Sequence, residues 1–185
     1  AVADAALAAA EASGSPTWIA WTKAGLGRAA GGSDPLRALA ASREAADYAR
    51  EQGIPFYEAL NAREAAALEV IHGDIERGTA MYQATVETLH RAGATSHLSI
   101  LFANLAAFFL ANDRPEVGAT LVGVAGRQAG SVSMAMDFSG TTDRLEAVLS
   151  KERFDQCLHD GATMSLDEAV ELASGEIEAL RATME

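Results

Sequence analysis

Apolar residues recur at steps of three and four along most of the chain, the period of helices with one covered face. The widest stripe, Leu98, Leu101, Phe102, Leu105, Phe108 and Phe109, predicts a helix over 96–111 covered on two sides. Asn104 interrupts it, and it falls short of the roughly 20 apolar residues a bilayer crossing needs. Similar stretches predict helices over 1–13, 16–30, 34–52, 55–72, 74–91 and 115–128. Trp18 and Trp21 share one face of the second.

The punctuation between these stretches repeats. Ser33-Asp34-Pro35-Leu36-Arg37-Ala38, Gly73-Asp74-Ile75-Glu76-Arg77-Gly78 and Asp113-Arg114-Pro115-Glu116-Val117-Gly118 place small residues at positions 38, 78 and 118, an interval of forty. Each copy carries proline or an acid in its first turn, where a missing N–H or a negative charge is best tolerated. Gly53 and Gly93 end helices at the same interval. A fixed period in this range marks stacked helical hairpins, and short loops make each helix run antiparallel to its neighbour. The period predicts an all-α fold, a tetratricopeptide-like α-solenoid of antiparallel helix pairs.

The repeat breaks after residue 130. Two glycines and three serines between 130 and 141 predict a loop over 131–141, with Met134, Met136 and Phe138 pinned onto the last repeat. Three shorter helices follow, over 142–150, 151–159 and 165–183, the last opened by the capping box Ser165-Leu166-Asp167-Glu168. The expected organisation is helical-hairpin repeats over 1–130, the loop, and an atypical helical C-terminal cap over 142–185 in the same domain. The chain opens without methionine and inside the pattern, so we expect it to be a segment of a longer polypeptide whose first helix has lost its partner. An apolar strip including Val2 and Leu7 should then lie partly uncovered, and self-association through that end is expected.

Composition supports the helical reading. Of 185 residues 49% are hydrophobic, much of this alanine, the best helix former. The net charge of −12 argues against a nucleic-acid surface, which needs clustered Lys and Arg. About half of it lies between Lys151 and Glu185, where nine acids face three bases. The single cysteine, Cys157, beside Phe154 on a helical stretch, reads as a packed thiol in a reducing cytoplasm.

Catalytic chemistry finds little to work with. Gly25-Leu26-Gly27-Arg28-Ala29-Ala30 loosely matches a dinucleotide fingerprint, but it falls near a helix end rather than at a strand-to-helix turn, so close helix packing explains its glycines better. His72, His90, His97 and His159 include no pair at i, i+4. His72, His90 and His159 fall near predicted helix C-termini, where a partly charged imidazole offsets the macrodipole. Nucleophile elbows and phosphate loops are missing. We therefore expect no enzyme, with no catalytic, cofactor-binding or metal-ligating residues. The candidate interaction surface comprises the aromatics Trp18, Trp21, Tyr57 and Tyr82.

Toward the C-terminus the residues resemble a known family. Gly118-Ala119-Thr120-Leu121-Val122-Gly123-Val124-Ala125, then Phe154-Asp155, then Gly161-Ala162-Thr163-Met164-Ser165-Leu166-Asp167-Glu168-Ala169-Val170 resemble, in order, the C-terminal repeat region of large actinobacterial transcriptional regulators. These combine an AAA-like or signalling NTPase module, a helical-repeat sensor and often a LuxR-type helix-turn-helix; some carry a nucleotide-cyclase domain. The resemblance covers most of the chain loosely and 118–172 more specifically. It implies a regulatory protein-interaction module whose partner is another protein or its own NTPase module, with neither nucleic acid nor membrane contacted by this segment. A second reading is a domain that binds a small-molecule effector and controls the linked NTPase. The repeat exceeds the roughly 34 residues of a tetratricopeptide unit, and that motif's Trp, Gly and Tyr landmarks are only partly kept.

Overall fold

A computed structural model describes residues 2–31, 34–127 and 138–184, and 87% of these are helical with no strand among them. The helices are α1 (Val2–Ser13), α2 (Pro16–Gly31), α3 (Pro35–Glu51), α4 (Pro55–His72), α5 (Ile75–Arg91), α6 (Thr95–Ala111), α7 (Pro115–Gly126), α8 (Phe138–Val148), α9 (Lys151–Thr163) and α10 (Leu166–Arg181). No helix among the described residues is long and apolar enough to cross a membrane.

The forty-residue punctuation has a local physical basis. Asp34 and Asp74 each accept a bond from the backbone N–H three residues on, at Arg37 and Arg77, both at 3.0 Å, satisfying an orphan donor of the first turn. In the third copy the aspartate sits one position earlier. Asp113 there adopts a left-handed backbone with φ of 57°, and Arg114 caps α7 without a side-chain bond. Gly53 and Gly93 have φ of 66° and 64°, a region open to glycine, and the next N–H of each reaches back to Ala49 and Leu89 to close the helix end.

The chain divides into two compact units, Ala1–Thr88 and Leu89–Glu185. The division falls within α5 and not at the break in period after residue 130, because α8, α9 and α10 all pack on α6 or α7 and share their core. In the first unit α2 packs on α3, α3 on α4 and α1 on α2. Its core includes Ala38, Leu39, Ala65 and Leu68, with Met81 against them. The small residues sit where helices cross. A Cβ on Gly78 would lie 2.6 Å from Val70 Cγ1, and one on Gly27 would lie 2.9 Å from Ser42 Oγ and 3.4 Å from the Ala38 carbonyl. Gly27, part of the fingerprint-like string, is thus a packing glycine between α2 and α3.

Glu69 fastens three helices of this unit. Its side chain has no exposed surface, accepts from Arg43 of α3 and, at 2.6 Å, from Arg77 Nε of α5. Burial pushes the carboxyl up, and the two guanidinium groups more than offset this, holding it below the usual carboxylate value.

The second unit is built on α6. Leu98, Leu101, Phe102, Leu105 and Phe109 have no exposed surface, as their stripe predicts. A Cβ on Gly118 would lie 2.9 Å from the Ala106 carbonyl, so α7 approaches α6 closely. The contact of α9 with α7 is closer still: a Cβ on Gly161 would run into the Thr120 carbonyl, and one on Gly123 into the Leu158 carbonyl.

Two expected boundaries need correction. Residues 131–137 of the expected loop, with Met134 and Met136, lie outside the described residues, but Phe138 to Thr141 open α8 rather than close a loop. Thr141 is 1% exposed, so packing on α6 and α7 overrides the weak helix preference of this Ser- and Gly-containing stretch. Likewise α9 continues to Thr163 instead of ending at His159, since buried Gly161 packs against α7. His159 is therefore inside a helix, whereas His72 and His90 do occupy last turns.

Candidate interaction surface

Alanine makes a shallow helix surface, and α1 presents a stripe of it to α2. Ala6, Ala9 and Ala10 form one wall of an open cleft of about 630 Å³. Trp18 and Trp21 form the other, and Gly25 continues their stripe. The polar residues of the lining, Ser13 and Thr22, are turned inward: Ser13 Oγ donates to the Ala10 carbonyl at 2.6 Å and Thr22 Oγ1 to the Trp18 carbonyl at 2.7 Å. A Cβ on Gly25 would meet nothing within 4 Å, so this glycine opens space instead of admitting a neighbouring helix.

Both indoles face solvent, Trp18 at 61% and Trp21 at 42% exposure, high for the residue type that most favours burial at interfaces. Trp21 is positioned from two sides. Its ring lies edge-on to Tyr57 of α4, centroids 6.2 Å apart at 87°, and Tyr57 in turn meets Phe56 edge-on at 5.4 Å. The Arg28 guanidinium lies 5.4 Å from the Trp21 ring centroid. The cleft has a fixed wall and an open floor, suited to accepting an apolar side chain from outside.

The structure thus brings three of the four candidate aromatics together and removes the fourth. Tyr82 is 1% exposed and belongs to the interior. It shares with Val86 and Leu89 the buried stripe of α5, a spacing of four and three that was legible in the sequence. Burial pushes its phenol well above the ordinary tyrosine value. Sequence reasoning missed Gly25 and Arg28, although the spacing 18, 21, 25, 28 already placed them beside the indoles.

Near Tyr82 lies a second polar feature. Arg63 of α4 is 4% exposed, with Nη2 3.5 Å from Glu64 Oε2, and its Nε and Nη1 have no acceptor among the described residues. Burial lowers its pKa, the direction expected for a cation removed from water.

Elsewhere the titratable groups do structural work. His90 Nε2 lies 2.7 Å from Asp167 Oδ1. Arg153 forks onto both carboxylate oxygens of Glu116 at 2.8 and 2.6 Å, joining α9 to α7. Ser165 and Glu168 form the expected capping box, with Ser165 Oγ accepting from the Glu168 N–H at 3.2 Å and the Glu168 carboxylate from the Ser165 N–H at 2.7 Å. Cys157 is 3% exposed, on the same buried face of α9 as Phe154. No group of three or more His, Cys, Asp or Glu side chains able to hold a metal ion occurs among the described residues. Compared with models of protein families, with curated proteins and with solved structures, the chain matches none.

Proposed function

We propose that this chain is a non-catalytic regulatory interaction module that docks a protein segment in the α1–α2 cleft. The observation that carries the reading is the pair Trp18 and Trp21, exposed at the edge of an apolar cleft, with Trp21 held in place by Tyr57 and Arg28. Large rigid aromatics add contact area at small entropic cost, which makes them the natural anchors of an interface. The forty-residue punctuation and the close helix crossings support a tetratricopeptide-like solenoid as its architecture.

Together with the resemblance of 118–172 to actinobacterial LuxR-type regulators, this points to a cytoplasmic sensor region whose partner is the NTPase module of the same polypeptide or another protein. Self-association through α1 belongs to the same reading, since Val2 is 87% exposed and Leu7 only partly covered. The net charge of −12 speaks against direct nucleic-acid contact. The test is binding in trans: the isolated module, mixed with the NTPase module of its own polypeptide, should form a complex that Trp18→Ser with Trp21→Ser dissolves. A complex insensitive to both substitutions would contradict the reading.

The buried Arg63 favours a second reading, effector binding. A guanidinium with two donors lacking acceptors is the residue type that recognises a carboxylate or phosphate. Acetate or phosphate should then raise the thermal midpoint of the native protein and leave that of Arg63→Met unchanged. An equal response of the two proteins would remove this reading.

A further inference from the structure

The geometry points to a partner of defined chemistry for the α1–α2 cleft: one amphipathic helix that places apolar side chains between the alanines and the indoles and sets a carboxylate on Arg28. This rests on the docking reading above and adds to it the sign of the partner's charge. The lining of the cleft contains no charged residue, so its floor selects only for apolar groups. Selection by charge falls to its edge, where Arg28 follows Trp18, Trp21 and Gly25 on one helical stripe.

Arg28 differs from most other cations of its unit. Lys23 pairs with Glu44, Arg43 and Arg77 with Glu69, and Arg50 with Asp47 and Glu58. Arg28 is exposed and forms no ion pair among the described residues, in a chain whose acids outnumber its bases by 26 to 14. It lies against the Trp21 ring instead. A guanidinium held over an aromatic ring by a cation–π contact spends no N–H donor on it, which leaves the fork available to a carboxylate. An acidic residue one turn from an apolar anchor on a partner helix satisfies both features at once. A basic partner helix would be repelled at this edge.

Two synthetic helical peptides of about 15 residues test the proposal, long enough to hold a helix on docking. They share a leucine face at i, i+3, i+4 and i+7 and differ by Glu or Lys one turn after the last anchor. Trp18 and Trp21 are the only tryptophans, so their emission reports binding at the cleft directly. The Glu peptide should bind about tenfold more tightly than the Lys peptide at low salt, and Arg28→Glu should reverse the order. Gly25→Leu should abolish binding of both by filling the open floor, and its thermal midpoint should equal or exceed that of the native protein, because a Cβ at position 25 meets nothing within 4 Å and leucine is a better helix former than glycine.

Equal binding of the two peptides to the native protein and to Arg28→Glu overturns the charge preference while leaving the docking reading intact. Binding unaffected by Gly25→Leu overturns both. So does the absence of binding by either peptide. Self-association in sedimentation that Gly25→Leu abolishes and the Glu peptide does not compete makes a second copy of the chain the occupant, and overturns the proposal.

Discussion

Glu69 ties three helices together through one buried carboxylate. Its carboxylate is fully buried and satisfied by Arg43 and Arg77, whose side chains are 34% and 54% exposed, so removing the charge loses two charge-assisted bonds while both guanidinium groups can still turn to water. Glu69→Gln should cost about 1.5–3 kcal/mol in urea unfolding, the range for losing hydrogen bonds to a charged group. The pH dependence has a definite sign. The folded carboxyl is held below the ordinary value, so its contribution is fully present above the unfolded pKa of about 4.3 and is lost as pH falls through the lower folded value. The gap between native and Glu69→Gln unfolding midpoints should therefore be constant above about pH 5.5 and shrink below about pH 4. A gap that widens on acidification would contradict the assignment. Glu69 was invisible from sequence, because nothing in its spacing separates a buried acid from the surface acids around it.

At the scale of elements, helix crossings set the stability. The Gly161 Cα faces the Thr120 carbonyl, and backbone cannot turn aside as a flexible side chain can. Gly161→Ala should destabilise the protein by about 1–3 kcal/mol, the cost of overpacking. Gly175 of α10 has open space at the same point, so Gly175→Ala should stabilise by about 0.5–1 kcal/mol through helix propensity alone. Equal effects of the two substitutions, measured by thermal unfolding, would mean that α9 does not lie against α7. Replacing Phe102, fully buried on α6, with alanine should cost about 3–5 kcal/mol. Most boundaries were legible because proline, aspartate and glycine act locally: Pro35, Pro55 and Pro115 start helices and Gly53 and Gly93 end them. The starts and stops that sequence misplaced, at Phe138 and after His159, are those decided by tertiary contact, through Thr141 and Gly161. Tyr82, expected at the surface, lies inside. Residue type alone does not separate an interface aromatic from a core one, whereas the spacing of Tyr82 to Val86 and Leu89 puts it on the buried stripe of α5.

For the molecule as a whole, the fold was legible at the level of class, since a step of three to four residues has one structural meaning when strand-forming clusters are missing. The cleft was legible only in part. Trp18 and Trp21 declare themselves, whereas the open floor at Gly25 and the charge of Arg28, without an ion pair among the described residues, depend on what the other helices leave uncovered. The central claim, that this cleft is where a protein partner docks, is tested most directly by a photoreactive phenylalanine derivative placed at position 18 in the protein as expressed in its own cells. Irradiation should give one discrete protein adduct, lost when Gly25→Leu fills the cleft and lacking when the same group stands at Leu36, a side chain of α3 exposed to a similar 62%. The same adducts from positions 18 and 36, unchanged by Gly25→Leu, would contradict it.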